Sequence, residues 1–404
     1  ISAESDSSGV LTNLVPKEGG NSFRFGADAT YSNESLQSDN FTDELRGRGL
    51  AATNKILHLY DANVTQGGPV KRDRLWFFAA TRASGTRNQV AGIYFNKTRG
   101  TPFYTPDLDN PAYRKEWLKS IGGRLTWQVS QKHKINVFSD VQSYHVRGFG
   151  GNEAPEAITG WQFWPAGLYQ ATWNSPASNR LLFDAGVSLT KNGFPYTREE
   201  ITKIFGFQVA STDISIFEAS TGFRYNAKDR YYYKNQQDRY AGRFAMSYVT
   251  GTHAFKVGLQ SQTLVYNQDY VVNESLQYTF LRGVPTTLTQ WAQPLLYQVR
   301  TKADLGLYAQ DKWTIRRLTL NYGLRFEYYN GYVPATNLPA GRFVGARNIP
   351  AVNGLPEWTD LNSRLGGSYD VFGDGRTAVK ASIGRYVGKM GTTVGVLGNP
   401  LSTS

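Results

Sequence analysis

The side-chain types that do covalent chemistry are sparse in this chain, and their spacing is uninformative. Its four histidines, His58, His133, His145 and His253, are scattered, and two of them, His133 and His253, fall in short polar turns. HExxH, GxSxG and phosphate-cradling glycine loops do not occur, so the spacings of a zinc hydrolase, a serine hydrolase and a nucleotide site are missing. There is no cysteine, which excludes a disulfide scaffold, a thiolate metal site and a cysteine nucleophile. Asp107-Leu108-Asp109-Asn110 begins like a calcium loop but lacks the following glycine and the bidentate glutamate. Glu153 and Glu156 share a loop with no partner at a spacing that suits acid–base work. The expectation is a protein that is not an enzyme and holds neither metal nor cofactor.

Two other sets of residues have more pattern. The first is aromatic. Tyr94, Tyr104, Trp161, Phe163, Trp164, Tyr231 and Tyr233 lie in polar, Pro-rich connections together with Phe95, Phe103, Tyr232, Trp291 and Tyr297. Rings on exposed loops can stack on a sugar, a peptide or another ligand. The plainer reading is an interfacial belt or loop packing, because one end of Tyr and Trp is apolar and the other wet. Trp161-Gln162-Phe163-Trp164 is the most compact candidate and is closed by Pro165.

The second set is charged. Arg24, Asp28, Arg124, Asp184, Arg243, Lys256, Asp304, Arg325 and Glu327 occupy alternate positions in otherwise apolar runs, as do Arg239, Lys312, Arg364, Asp370 and Lys380. Such charges either line a polar passage or pair with one another across neighbouring strands, and cross-strand pairing is expected for most of them.

The element that positions this second set is clearest at Thr301–Asn330. Leu318, Leu320, Tyr322, Leu324, Phe326 and Tyr328 alternate with Thr319, Asn321, Gly323, Arg325 and Glu327. Period two is the signature of a strand. The preceding run alternates in the same way, with Asp311 alone breaking its apolar face, and only Arg316-Arg317 separates the two halves. They form a tight hairpin. Each strand is longer than the usual 5–6 or so residues, and about 9–11 residues suffice to cross a bilayer at a tilt.

The rest of the chain repeats the unit. About thirteen such strands are expected, joined by short turns at Pro69–Arg72, Ser130–His133, Ser175–Arg180, Thr250–His253, Arg316–Arg317 and Gly373–Gly375. Long connections at 32–56, 88–118, 147–166, 191–237, 267–300 and 331–361 alternate with them. Membrane barrels keep short turns at one end and long loops at the other, whereas soluble sandwiches mix them. The fold class is all-β, an antiparallel transmembrane β-barrel. Arg or Lys on its lipid face would cost about 2–4 kcal/mol at the midplane, so the alternating charges are expected to face the lumen. Tyr328, Tyr329 and Tyr332 are expected in the outer aromatic girdle.

The totals agree. In 404 residues there are 25 Tyr, 9 Trp and 41 Gly, and 44 Lys+Arg against 32 Asp+Glu give a net charge of +12. The basic residues form no run longer than two, which argues against nucleic acid. Mean hydropathy is −0.44, and there is no apolar run of the roughly 18 residues that a membrane helix needs. Strands that are only half apolar still fit.

Several segments resemble the TonB-dependent outer-membrane receptors, in particular their Oar-like branch. Gly9–Phe23 looks like the end of a plug domain entering the first barrel strand. Gly67–Phe78 looks like the first periplasmic turn and third strand. Tyr308-Ala309-Gln310-Asp311-Lys312-Trp313 with Leu318–Glu327 resembles the family's most recognisable hairpin, and Leu361–Asp370 with Gly384-Arg385-Tyr386 the next. The matches run in order over nearly the whole chain, leaving out the long loops. The resemblance implies a plugged barrel of about 22 strands in the bacterial outer membrane, among its lipids, opened through TonB of the inner membrane to import an unknown ligand. On that pattern residues 1–20 are the C-terminal end of the plug and 21–404 the N-terminal portion of the barrel. The chain starts at Ile1 with no export signal, and its odd strand number would leave two open edges. It is therefore expected to be a piece lacking the TonB box, most of the plug and the last nine or so strands. A non-energised channel and a surface adhesion barrel are the alternatives.

Overall fold

The computed structural model describes residues 2–6, 15–38, 40–49, 53–148, 152–388 and 393–402. Among them, thirteen strands form one antiparallel sheet in which each strand pairs with its neighbour in the chain. They are β1 (Arg24–Asn33), β2 (Lys55–Lys71), β3 (Leu75–Asn96), β4 (Pro106–Ser130), β5 (His133–Gly148), β6 (Thr159–Pro176) and β7 (Leu181–Asn192). Then follow β8 (Asn235–Thr250), β9 (His253–Tyr270), β10 (Leu295–Ile315), β11 (Leu318–Val333), β12 (Val352–Asp370) and β13 (Ala378–Gly384). The expected count, order and alternation of short and long connections are all present. The segment expected at Val10–Val15 lies, apart from Val15, outside the described residues.

Side-chain alternation explains why these runs are strands. In β11, Leu324 is 52% exposed while its neighbour Arg325 is 1% exposed. Ile121, Leu125, Val137, Val187, Phe244, Val257, Leu307, Leu361 and Leu365 are likewise exposed on their strands. Register places Leu307 opposite Phe326 and Ala309 opposite Leu324, so one face is a continuous apolar surface. Water would not tolerate so extensive an apolar surface, whereas hydrocarbon requires it.

Asp311 interrupts that face near a short turn, and its surroundings account for it. His253 Nδ1 lies 2.6 Å from Asp311 Oδ2, the Tyr322 hydroxyl donates to the same oxygen at 2.7 Å, and Ala254 N–H donates to Oδ1 at 3.1 Å. The carboxylate is thus enclosed by partners at the barrel end.

The strands are longer than the sequence pattern suggests. β3, β4 and β10 contain 22, 25 and 21 residues, about twice what a bilayer needs. Much of the segments 88–118 and 147–166, expected as connections, is in fact ladder. Trp161, Phe163 and Trp164 therefore lie on β6 and Tyr94 on β3, rather than on loops. Beyond the bilayer neither face has to be apolar, so the alternation fades while backbone pairing continues. Tyr329 also departs from the girdle expected of it: it points to the inner face, is 6% exposed and stacks on Trp358 at 4.7 Å. One step of strand parity separates it from Tyr328.

The long connections carry their own structure. Val284–Gln290, Leu276–Leu281, Ser215–Glu218 and Phe223–Tyr225 form a four-stranded sheet in that order, with a parallel pairing between its two middle strands. A helix, Arg198–Phe205, ends at Gly206, whose φ of 76° suits a residue without Cβ.

Candidate functional site

Two regions gather the polar and aromatic residues. The first is the inner face of the sheet, which the N-terminal segment covers. Arg325 donates from Nη1 to the carbonyl of Glu4 at 3.1 Å and from Nε to Glu327 Oε1 at 3.0 Å. Asn362 Nδ2 holds the other oxygen of Glu327 at 2.8 Å. A Cβ on Gly306 of the adjacent strand would collide with the Arg325 guanidinium, so glycine there makes the room. Lys256 is paired with Glu4, and Gln310 Oε1 accepts from Ala3 N–H at 2.7 Å. Farther along the segment, Arg124 donates to the carbonyl of Pro16 at 2.5 Å and to Glu18 at 3.1 Å, and Lys134 lies 3.3 Å from Glu18.

The other charges sit as follows. Arg243 pairs with Asp184 across β7 and β8 at 3.2 Å, and Asp304 accepts from Gln262 Nε2 at 2.6 Å. Asp28 on the edge strand accepts from Asn63 at 3.1 Å, and Arg24 is exposed. The structure thus divides the set. Some charges pair across strands, while Arg124, Lys256 and Arg325 hold the N-terminal segment. Between segment and wall lies a cavity of about 520 Å³ whose lining includes Asp6, Arg124, Arg243, Gln262, Asp304 and Arg325.

The second region is the layer built by the long connections. Among the described residues it has three small cores: Ala154, Ile216, Tyr225 and Phe280; Ile201, Val209, Ala227 and Tyr231; and Leu295, Leu338 and Leu401. The candidate rings are distributed among them. Tyr231 is 0% exposed and its hydroxyl accepts from Lys228 N–H at 3.2 Å. Tyr104 packs on Phe223 at 4.7 Å and donates to the Tyr94 carbonyl at 3.0 Å; burial pushes its phenol up to about 12. Trp161 lies 5.5 Å from Phe194, 5.6 Å from Tyr196 and 5.8 Å from Tyr232, and Phe163 stacks on Tyr144 and Phe194. Trp164 is half-exposed, and Tyr233 shares its hydroxyl with Arg198 and Glu199. Tyr231 and Tyr104 are thus placed as packing residues, and Trp164 and Tyr233 keep exposed surface.

Glu156, without a partner in the sequence pattern, has two in the structure. It is 1% exposed, and its Oε1 accepts from Asn96 Nδ2 at 2.9 Å and from Asn226 N–H at 3.4 Å, joining the end of β3 to two connections. Its Oε2 meets no donor among the described residues. Burial raises its carboxyl above the usual range, against the opposing Asn96 hydrogen bond. Between the ordinary carboxylate range and that raised value, the folded layer keeps a proton that the opened layer releases. Glu156's contribution to stability is therefore full at low pH and is lost as pH rises through that window. Glu156→Gln is expected to slow hydrogen exchange of the layer's amides at about pH 8 and to change it little at about pH 4. Slower exchange in the wild type at pH 8 would contradict this.

Comparison with known proteins agrees with this architecture. Residues 107–402 match the family model described as outer membrane beta barrel domain. The chain is 23% identical to the TonB-dependent transporter Oar of Myxococcus xanthus, over 94% of this chain and 42% of that protein. Its fold is similar to the outer membrane transporter YddB of Escherichia coli, with a TM-score of 0.58, 11% identity and coverage of 92% of this chain and 44% of that one. It is also similar to the ferripyoverdine receptor of the Pseudomonas aeruginosa outer membrane, with a TM-score of 0.54, 12% identity and coverage of 91% and 42%. The chain therefore spans less than half the length of each of these proteins. With short turns, long loops, an apolar outer face and a family match over most of its length, the chain belongs to the outer membrane β-barrel domain family and is a protein of the bacterial outer membrane.

Proposed function

We propose that the protein acts in TonB-dependent transport: its outer connections capture a ligand, and the ligand enters through a barrel closed by a plug. On this reading residues 1–20 are the end of the plug, residues 21–404 are barrel wall, and TonB is the inner-membrane partner. The observation that supports it is the grip of the inner face on the N-terminal segment through Arg124, Lys256 and Arg325. A porin or adhesion barrel has no need for that grip. The likeness to Oar supports it too.

The reading makes the grip part of the closure. Arg124→Glu, which faces Glu18 with a like charge, is expected to make cells sensitive to bulky antibiotics, and adding Glu18→Arg should restore resistance. Equal resistance in the wild type and Arg124→Glu would remove Glu18 from the closure. The transport reading itself is tested by measuring ligand uptake with and without the inner-membrane energising complex. Uptake should disappear with the complex; uptake that persists would show a non-energised channel.

A further inference from the structure

At the outer end of β9 and β10 three connections and two strand ends meet around unmet hydrogen-bond donors. Arg347, in the β11–β12 connection, donates from Nη2 to the carbonyls of Ala292 at 2.8 Å and Pro294 at 2.6 Å. Its Nε and Nη1 are buried and meet no acceptor among the described residues. Trp291, next to Ala292 in the β9–β10 connection, has a buried indole Nε1 that also meets none among the described residues. Arg230, from the β7–β8 connection, lies over the Trp291 ring at 5.8 Å and the Tyr270 ring at 5.5 Å. Tyr297 closes the group at the start of β10. Its ring meets that of Tyr270 at 5.0 Å; burial raises its phenol, and the charges of Arg230 and Arg347 act against that rise.

Among the described residues no acid pairs with Arg347. Asp229 stands 3.6 Å from Arg230 Nε and meets its charge, because Lys228, 3.3 Å from the same acid, is also held by Glu153. Glu274 is held by Arg342 at 2.6 Å. Buried donors are normally satisfied, and leaving them unmet is costly. Three unmet donors from Arg347 and Trp291, with a second guanidinium and aromatic walls, lack only acceptor oxygens carrying negative charge.

We propose that Arg347, Trp291 and Arg230 bind an anionic group, a carboxylate, sulfate or phosphate, at the outer surface. The site names the chemistry of the captured ligand and in that respect rests on the transport reading. Binding to purified protein needs no energy source, so loss of anion binding and loss of energised uptake are separate results. The anion has two possible sources, a soluble ligand or the phosphate of an outer-leaflet lipid.

The test uses the full-length protein, purified in detergent and freed of lipid, titrated calorimetrically with citrate, sulfate and inorganic phosphate. Micelles of phosphorylated and dephosphorylated lipid A form a second arm. Saturable binding of a free anion assigns a soluble source; binding of phosphorylated lipid A alone assigns a lipid source. In either case Arg347→Gln should weaken binding about tenfold or more, as expected for a lost charge-assisted hydrogen bond. Trp291→Phe, which keeps a ring and removes the donor, should also weaken it, and Arg342→Gln should not. Heat-modifiable mobility on gels checks that each variant is folded. No saturable binding of any probe by the wild type, or unchanged binding by folded Arg347→Gln and Trp291→Phe, would overturn the assignment.

Discussion

Leu324→Arg is expected to abolish recovery of the protein from the outer membrane, while Arg325→Leu, one residue along the same strand, is expected to leave it. Leu324 is 52% exposed on the lipid-facing row, level with Ala309 and Ser363 on the flanking strands. A guanidinium there would cost about 2–4 kcal/mol at the midplane, a large share of a typical net stability of roughly 5–15 kcal/mol. Arg325 projects to the other face. Its loss leaves Glu327 with Asn362 and frees the carbonyl of Glu4, which should loosen the N-terminal segment without exposing charge to lipid. The measurement is the folded, heat-modifiable fraction in isolated outer membranes. Equal recovery of the two variants would overturn the assignment of faces.

The second large effect is expected at Tyr231. Its ring is fully buried among Ile201, Val209 and Ala227, with Phe205, Phe207 and Val271 against them. Removing a buried aromatic side chain typically costs roughly 3–5 kcal/mol. The layer it supports meets the barrel at the outer parts of the strands, where Phe205 packs on Phe95 and Tyr113, so its opening should be local. Tyr231→Ala is expected to insert normally but to become sensitive to protease added to intact cells, with cleavage in the β7–β8 connection. Trp164→Ala, which removes a half-exposed ring, should not change protease sensitivity. A Tyr231→Ala protein as resistant as the wild type would show that this core does not hold the layer.

The barrel was legible in the sequence because the bilayer imposes a rule on every second residue. Leu324, Phe326 and Leu307 obey it, and the turn at Arg316-Arg317 interrupts it where it should. Outside the bilayer no such rule operates. The outer halves of β3 and β4 therefore looked like connections, and Tyr329 was assigned to the wrong face. The packing of Tyr231 and Tyr104 depends on contacts between connections far apart in the chain, which period and composition do not encode. Glu156 looked partnerless because its partners, Asn96 and Asn226, are 60 and 70 residues away. The pairing of His253 with Asp311 left a trace: one acid on an apolar face and one histidine in a short turn. The unmet donors of Arg347 and Trp291 left none.

The proposed ligand capture depends on which end of the barrel faces outward, and the absence of cysteine makes that end directly measurable. Thr287→Cys places a thiol on the exposed strand Val284–Gln290 of the outer layer, and Arg317→Cys places one in the β10–β11 turn. Intact cells are treated with a membrane-impermeant maleimide. Thr287→Cys is expected to label fully, and Arg317→Cys only after the outer membrane is permeabilised. Labelling of Arg317→Cys but not Thr287→Cys in intact cells, or equal labelling of both, would contradict the orientation on which the proposed ligand capture rests.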